Sequence, residues 1–172
     1  MHVFLHTNLP PARAAERLAA EFGAQLTQDD EGRVFVSRPV RDGGAEGEAG
    51  GQVHSNFYGA PPDPKPDEVS VIDGYDTAFE IRCAIENEEV SRVEVEEIRQ
   101  VEAERFFTDI TERLGWPALL VTNLDILVAA WSPAHGRTDF PTGTTPDPPH
   151  WSLWRWYAIT TTAEGKSNES AR

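Results

Sequence analysis

The stretch TAFEIRCAIE, Thr77 to Glu86, decides the fold class. Phe79, Ile81, Cys83 and Ile85 fall on one side of an extended chain, and Glu80, Arg82 and Glu86 on the other. That alternation predicts a half-buried strand with one wet face, which belongs in an antiparallel sheet. Downstream, Ala118 to Thr122 and Asp125 to Trp131 are apolar runs joined at Asn123-Leu124, and they predict a buried hairpin of adjacent central strands. Upstream, His2 to Thr7 is short and apolar enough for a further strand.

Between these strands the period changes. Ala14, Ala15, Leu18, Ala19 and Phe22 recur at three- and four-residue spacing, so a helix is predicted from about residue 10 to 22. Asn8 is its candidate N-cap, Pro10 and Pro11 suit the first turn, and Gly23 stands where a left-handed terminating glycine belongs. Ala24 to Gln28, the turn Asp29-Asp30-Glu31-Gly32, and Arg33 to Val36 predict a hairpin. Residues 41–52, with five glycines among acids, read as a mobile surface loop, and Val53 to Tyr58 as another strand. Four prolines in 60–68 predict an extended, flexible connection.

The stretch from Asn87 to Leu114 has no Gly or Pro. At 100° per residue Ala103, Phe106, Phe107, Ile110 and Leu114 share a face, whereas Val90, Ile98 and Val101 lie nearly opposite. Either one helix is sandwiched between two surfaces, or Val93 and Val95 belong to a strand and the helix begins near Glu97. The second reading is favoured. Gly115-Trp116-Pro117 ends the helix in both. Trp151 to Tyr157 places Trp154 and Trp156 on one strand face, with the tryptophans filling the core. The whole is α+β: a mostly antiparallel sheet of five or six strands with two main helices packed on one face, forming a single domain over 1–158 with a disordered tail at 159–172.

Composition narrows the function. Asp and Glu number 29 against 15 Lys and Arg, a formal charge of −14 over 172 residues. Eight acids, Glu86, Glu88, Glu89, Glu94, Glu96, Glu97, Glu102 and Glu104, crowd one stretch against Arg92 and Arg99. Such a field repels nucleic acid and anionic lipid and steers basic partners inward. The beginning of the chain lacks a basic leader, no apolar run reaches the ~20 residues of a membrane span, and the single Cys83 excludes an internal disulfide. The expectation is a cytoplasmic protein.

No nucleophile elbow or phosphate loop is present, and Cys83 reads as a small buried hydrophobe. His2 and His6 would stand ~13 Å apart on a strand, too far to share an ion. Asp73, Asp76 and Asp125 read as turn and strand-entry residues. No cofactor or metal is expected. The C-terminal group of His135, Asp139, Asp147 and His150, beside Trp151, mixes imidazole and carboxylate in a Pro/Gly-rich loop, and gives the alternative site: an enzyme centred on His135, Asp139 and His150, or an apolar small-molecule pocket lined by the Trp-rich segment.

Taken in order, the strand, the Glu-rich segment, the helix Phe106 to Leu114 and the apolar hairpin Leu119 to Trp131 resemble the small acidic immunity proteins of bacterial polymorphic-toxin systems. That resemblance covers about residues 1–158, and it implies a partner rather than a substrate: a toxic enzyme, often a basic nuclease, blocked by acidic side chains. The acids expected to meet it are Glu94, Glu97, Glu102 and Glu104, then Asp63, Asp67 and Glu68 of the Pro-rich connection.

Overall fold

The computed structural model describes residues 1–40, 47–58, 69–85 and 90–159. Its eight strands are β1 (His2–Leu5), β2 (Gln25–Gln28), β3 (Val34–Pro39), β4 (Gly47–Ser55), β5 (Thr77–Ile85), β6 (Ala118–Thr122), β7 (Ile126–Ser132) and β8 (Gly136–Asp139). They form one sheet in the order β2-β3-β4-β5-β1-β6-β7-β8, with every neighbour antiparallel. The helices are α1 (Pro11–Phe22), α2 (Arg92–Asp109) and the single turn α3 (Trp151–Trp154). The expected α+β class with an antiparallel sheet is therefore correct, but the sheet has eight strands rather than five or six, and a third helix joins the two.

Two parts of the sheet depart from the expectation for physical reasons. The strand expected over Val53–Tyr58 ends at Ser55 and begins at Gly47, inside the 41–52 segment expected as a mobile loop. Its glycines are there because neighbouring backbones press close: a Cβ on Gly51 would lie 1.7 Å from the Glu80 carbonyl oxygen, and one on Gly50 2.0 Å from that of Val36. Gly-rich sequence marks close approach here, not mobility. The other, β8, is a four-residue edge strand whose polar sequence GRTD carries no apolar alternation. Residues 41–46 of the expected loop, the Pro-rich 60–68, and the tail from residue 160 lie outside the described residues. Ile159, expected in the tail, packs against the core.

One face of the sheet carries α1 and α2. Ala14, Ala15, Leu18, Ala19 and Phe22 from α1 meet Ala103, Phe106, Phe107 and Ile110 over Val3, Leu5, Val36, Phe79, Ile81 and Leu120. The α1 boundaries match the expectation, and Gly23 ends it in the left-handed region at φ 60°. Asn8 is not its cap. Pro10 occupies that position, while Asn8 itself is left-handed and donates its N–H to Asp76.

The second face is divided. Over β1, β6 and β7, Phe4, Leu119, Val121, Leu127 and Ala130 are covered by Val71, Ile72, Tyr75, Trp154 and Tyr157. The C-terminal segment therefore supplies core, as expected, but of its three tryptophans only Trp154 is buried, beside Tyr157. It is a helical turn rather than a strand, which sends Trp154 inward, its indole N–H to the Thr145 carbonyl at 3.1 Å, and leaves Trp151 and Trp156 exposed. Over β2 to β5 the same face is open, with Thr27, Phe35, Ser37, Glu48 and Arg82 around a shallow groove. Among the described residues, no helix is long and apolar enough to cross a membrane.

Candidate protein-binding surface

Most of the acids expected to bind a partner lie on α2, and its start fixes their direction. The helix begins at Arg92, so Val93 and Val95 are helical and the strand expected there does not exist. The cause is a capping box. Ser91 Oγ accepts the Glu94 N–H, and the Glu94 carboxylate accepts the Ser91 N–H at 2.8 Å. Those bonds hold the Glu94 carboxyl below the usual carboxylate range.

From that start, Ile98, Glu102, Ala103, Phe106 and Phe107 point into the core. Glu102 is therefore corrected: it is fully buried and cannot meet a partner. Its carboxylate lies 2.6 Å from Arg105 and 3.8 Å from Arg38, a β3 arginine only 3% exposed. Arg38 also reaches Asp109 at 2.5 Å and lies 3.8 Å above the Phe106 ring centroid. This charged knot ties α2 to the sheet. Sequence reasoning missed Arg38, although Val34, Val36 and Arg38 share one strand parity and so one face.

The remaining acids differ among themselves. Glu104 is partly buried and bonds Arg137 of β8 at 2.9 Å, over the Phe107 ring. Glu94 and Glu97 are exposed. On the outward face of α2, Glu97 stands between Val93, 68% exposed, and Val101, 40% exposed, at i−4 and i+4. Asp63, Asp67 and Glu68 lie outside the described residues.

The alternative constellation does not assemble. His135, in the β7–β8 turn, stacks obliquely on Trp156 and meets Tyr157 edge-on. Asp139 pairs with Arg137 on the helix-bearing side of the sheet. His150 Nδ1 accepts the Thr145 N–H at 2.9 Å, and Trp151 packs edge-on against Trp154. No hydrogen bond or ring contact joins His135, Asp139 and His150 among the described residues. Two further acids are used structurally, Asp73 closing a capping box on the 3₁₀ turn Val71–Gly74 and Asp76 accepting the N–H groups of Thr7 and Asn8, while Asp125 sits exposed in the β6–β7 turn. Cys83 is half-buried against the core, and burial pushes its thiol up to about 11.

Set against known proteins, the chain matches no family model, no curated protein and no solved structure.

Proposed function

We propose that this chain is a protein-binding inhibitor of the immunity type, acting in the cytoplasm on a cognate toxin with a basic surface. The observation that carries the reading is the outward face of α2: two exposed valines flank an exposed glutamate on the longest helix of a strongly acidic protein. A single exposed valine would be ordinary; here two stand one turn to each side of an exposed glutamate on one helix face. Apolar contact at Val93 and Val101 supplies affinity once water is excluded, and the surrounding acids accelerate encounter with a basic partner. Complementary charge raises association from about 10⁵–10⁶ toward 10⁸–10⁹ M⁻¹s⁻¹ at low salt. Rapid capture suits an inhibitor whose target does damage until it is bound.

The test starts with affinity purification of the tagged protein from its host, washed at low and then high salt. A stoichiometric basic protein that survives low salt and is released by high salt is expected. Association of the purified pair is then timed for the wild type and for Glu97→Lys and Val101→Asp. The reading requires that Glu97→Lys slow association and flatten its salt dependence, and that Val101→Asp speed dissociation. Unchanged rates in both variants would remove α2 as the docking face.

A further inference from the structure

We propose that the outer edge of β2 pairs with β2 of a second copy of this chain, joining two sheets into one across a two-fold axis at Thr27. β2 ends the sheet and has β3 on one side only. Its residues Gln25, Leu26, Thr27 and Gln28 are all exposed, Leu26 at 42%. Residues 1–40 are described without a gap, so the strand, both its flanks and the strand behind it are in view. The inference stands apart from the docking reading of α2, which uses no part of β2.

Backbone register is the first argument. In an antiparallel ladder, hydrogen-bonded pairs alternate with pairs that are not bonded. The Asp29 N–H donates to the Arg33 carbonyl at 3.1 Å, which by alternation assigns Thr27↔Phe35 and Gln25↔Ser37 as the bonded pairs of β2 and β3. The Val40 N–H donates to the Gly47 carbonyl at 2.9 Å, so Val34, Val36 and Arg38 bond to β4 and again leave Phe35 and Ser37 for β2. Leu26 and Gln28 therefore turn their N–H and C=O groups away from the sheet. An antiparallel second copy with Thr27 opposite Thr27 sets each Leu26 against Gln28 of the other copy. Both N–H and both C=O groups are then bonded, and the edge has no donor or acceptor left over.

The chemistry of the edge selects a second copy rather than a different protein. The chain carries a formal charge of −14, yet no residue of β2 is charged. A basic partner finds no acid on the strand, whereas amide, hydroxyl and leucine side chains complement themselves. Thr27 meets Thr27 across the axis, a favourable cross-strand pair, and Leu26 is covered by the Gln28 stem. Asp29, next along, is bound to Arg33 and falls opposite Gln25 of the second copy. The other end of the sheet shows the contrast. There the Phe140 N–H donates to the Val128 carbonyl at 2.9 Å, so the β8 residues whose backbone faces outward are Arg137 and Asp139, both charged. Charge on an edge strand opposes further pairing, and β2 lacks it. So short a strand makes a small interface, and the dimer is accordingly weak and reversible.

The test is sedimentation of the full chain from about 10 µM to about 1 mM, at low and at high salt. A reversible monomer–dimer equilibrium is expected. It should tighten as salt rises, because two chains of charge −14 repel and added ions screen that repulsion. A toxin held through acidic side chains is released by the same change, so the two readings fail separately. Thr27→Asp sets two carboxylates face to face and is expected to weaken the dimer about tenfold or more. Asn123→Asp, in the β6–β7 turn, adds the same charge and leaves the equilibrium unchanged. The register is read by disulfide trapping in a Cys83→Ser background. Thr27→Cys brings the two Cα atoms to about 4.5 Å, within disulfide reach, and cross-links on mild oxidation. Gln25→Cys lies about 14 Å along the strand from its counterpart and does not. The proposal is overturned by a monomer at every concentration and salt, or by species that grow beyond a dimer. Equal effects of Thr27→Asp and Asn123→Asp, or equal cross-linking at positions 25 and 27, would overturn it as well.

Discussion

The two long helices lie on the same face of one sheet and are held there by different physics. On α1 a single stripe of Ala14, Ala15, Leu18, Ala19 and Phe22 is buried, its start is a bare Pro10 with no side-chain cap, and its polar residues all face water. On α2 a glutamate is buried, two valines are exposed, and a capping box sets the first turn. The first helix is fixed chiefly by apolar area, with one ion pair at its end, Glu21 to Arg113 at 3.1 Å. The second adds to its buried Ala103, Phe106 and Phe107 a charged knot and a cap, while its outer face leaves Val93 and Val101 exposed.

The strongest way to break this comparison is at the knot. Arg38→Met removes the guanidinium from buried Glu102 and from Asp109, and is expected to cost on the order of 3–5 kcal/mol in urea unfolding. Adding Glu102→Met to Arg38→Met should restore more than half of that loss, because an apolar pair of similar volume replaces a broken ionic one. Additive losses would show that α2 is held by packing, as α1 is. The matching cut on α1, Leu18→Ala, is expected to cost about 2–5 kcal/mol through lost burial and a residual cavity, with no dependence on salt.

A pH test extends the contrast to the central strand. Burial, helped by the adjacent Met1 amino group, pushes the His2 imidazole down from its ordinary 6.5 to about 4, while Glu80 acts the other way and His54 and Arg82 lie near it. Between those values the unfolded chain takes up a proton that the folded chain refuses. Stability therefore falls as the pH is lowered from 6.5 to 4, with no further loss from this group below 4. His2→Gln should flatten that part of the stability–pH curve. A curve of unchanged slope would assign the loss to other groups.

Smaller effects sharpen the account of the cap and the outer face. Ser91→Ala is expected to cost about 1 kcal/mol by undoing the capping box, and α1 has no equivalent to lose. Val93→Asp should change stability by no more than about 0.5 kcal/mol, as exposed positions do. If it unfolds the protein, the outer face of α2 is a folding surface after all.

The same contrast explains what could be read from the chain. The α1 stripe, the Gly23 stop, the β5 alternation and the β6–β7 hairpin are one-sided patterns in which every apolar residue has one destination. Asn123 and Leu124 are both left-handed, φ 52° and 68°, within the three-residue connection Asn123–Asp125 that joins the two strands. The α2 pattern misled because Glu102 and Val101 exchange the usual places of charge and hydrocarbon. The local signal that outweighs them, Ser91 followed three residues later by Glu94, is short and sits inside an acidic run. The start of the strand β4 was hidden by glycines whose purpose is visible only beside Val36 and Glu80. Of the expected site acids, the exposure of Glu94 and Glu97 follows from helical phase once the start is fixed. The burial of Glu102 follows only from knowing that Arg38 waits on another element.

The place of β1 in the sheet has a consequence for the order of assembly. His2 to Leu5 pair on one side with Thr77 to Glu80 and on the other with Ala118 to Val121. β1 is thus enclosed on both edges only by strands far along the chain from it. Until they pair with it, α1 and the β2–β3 hairpin can form locally, but both edges of a wholly apolar segment, Val3-Phe4-Leu5, stay open. Long-range closure of this kind is slow and leaves the folding chain prone to association. Closure of the sheet around β1 therefore rests on contacts of long sequence separation, with β6 the last of its two partners along the chain.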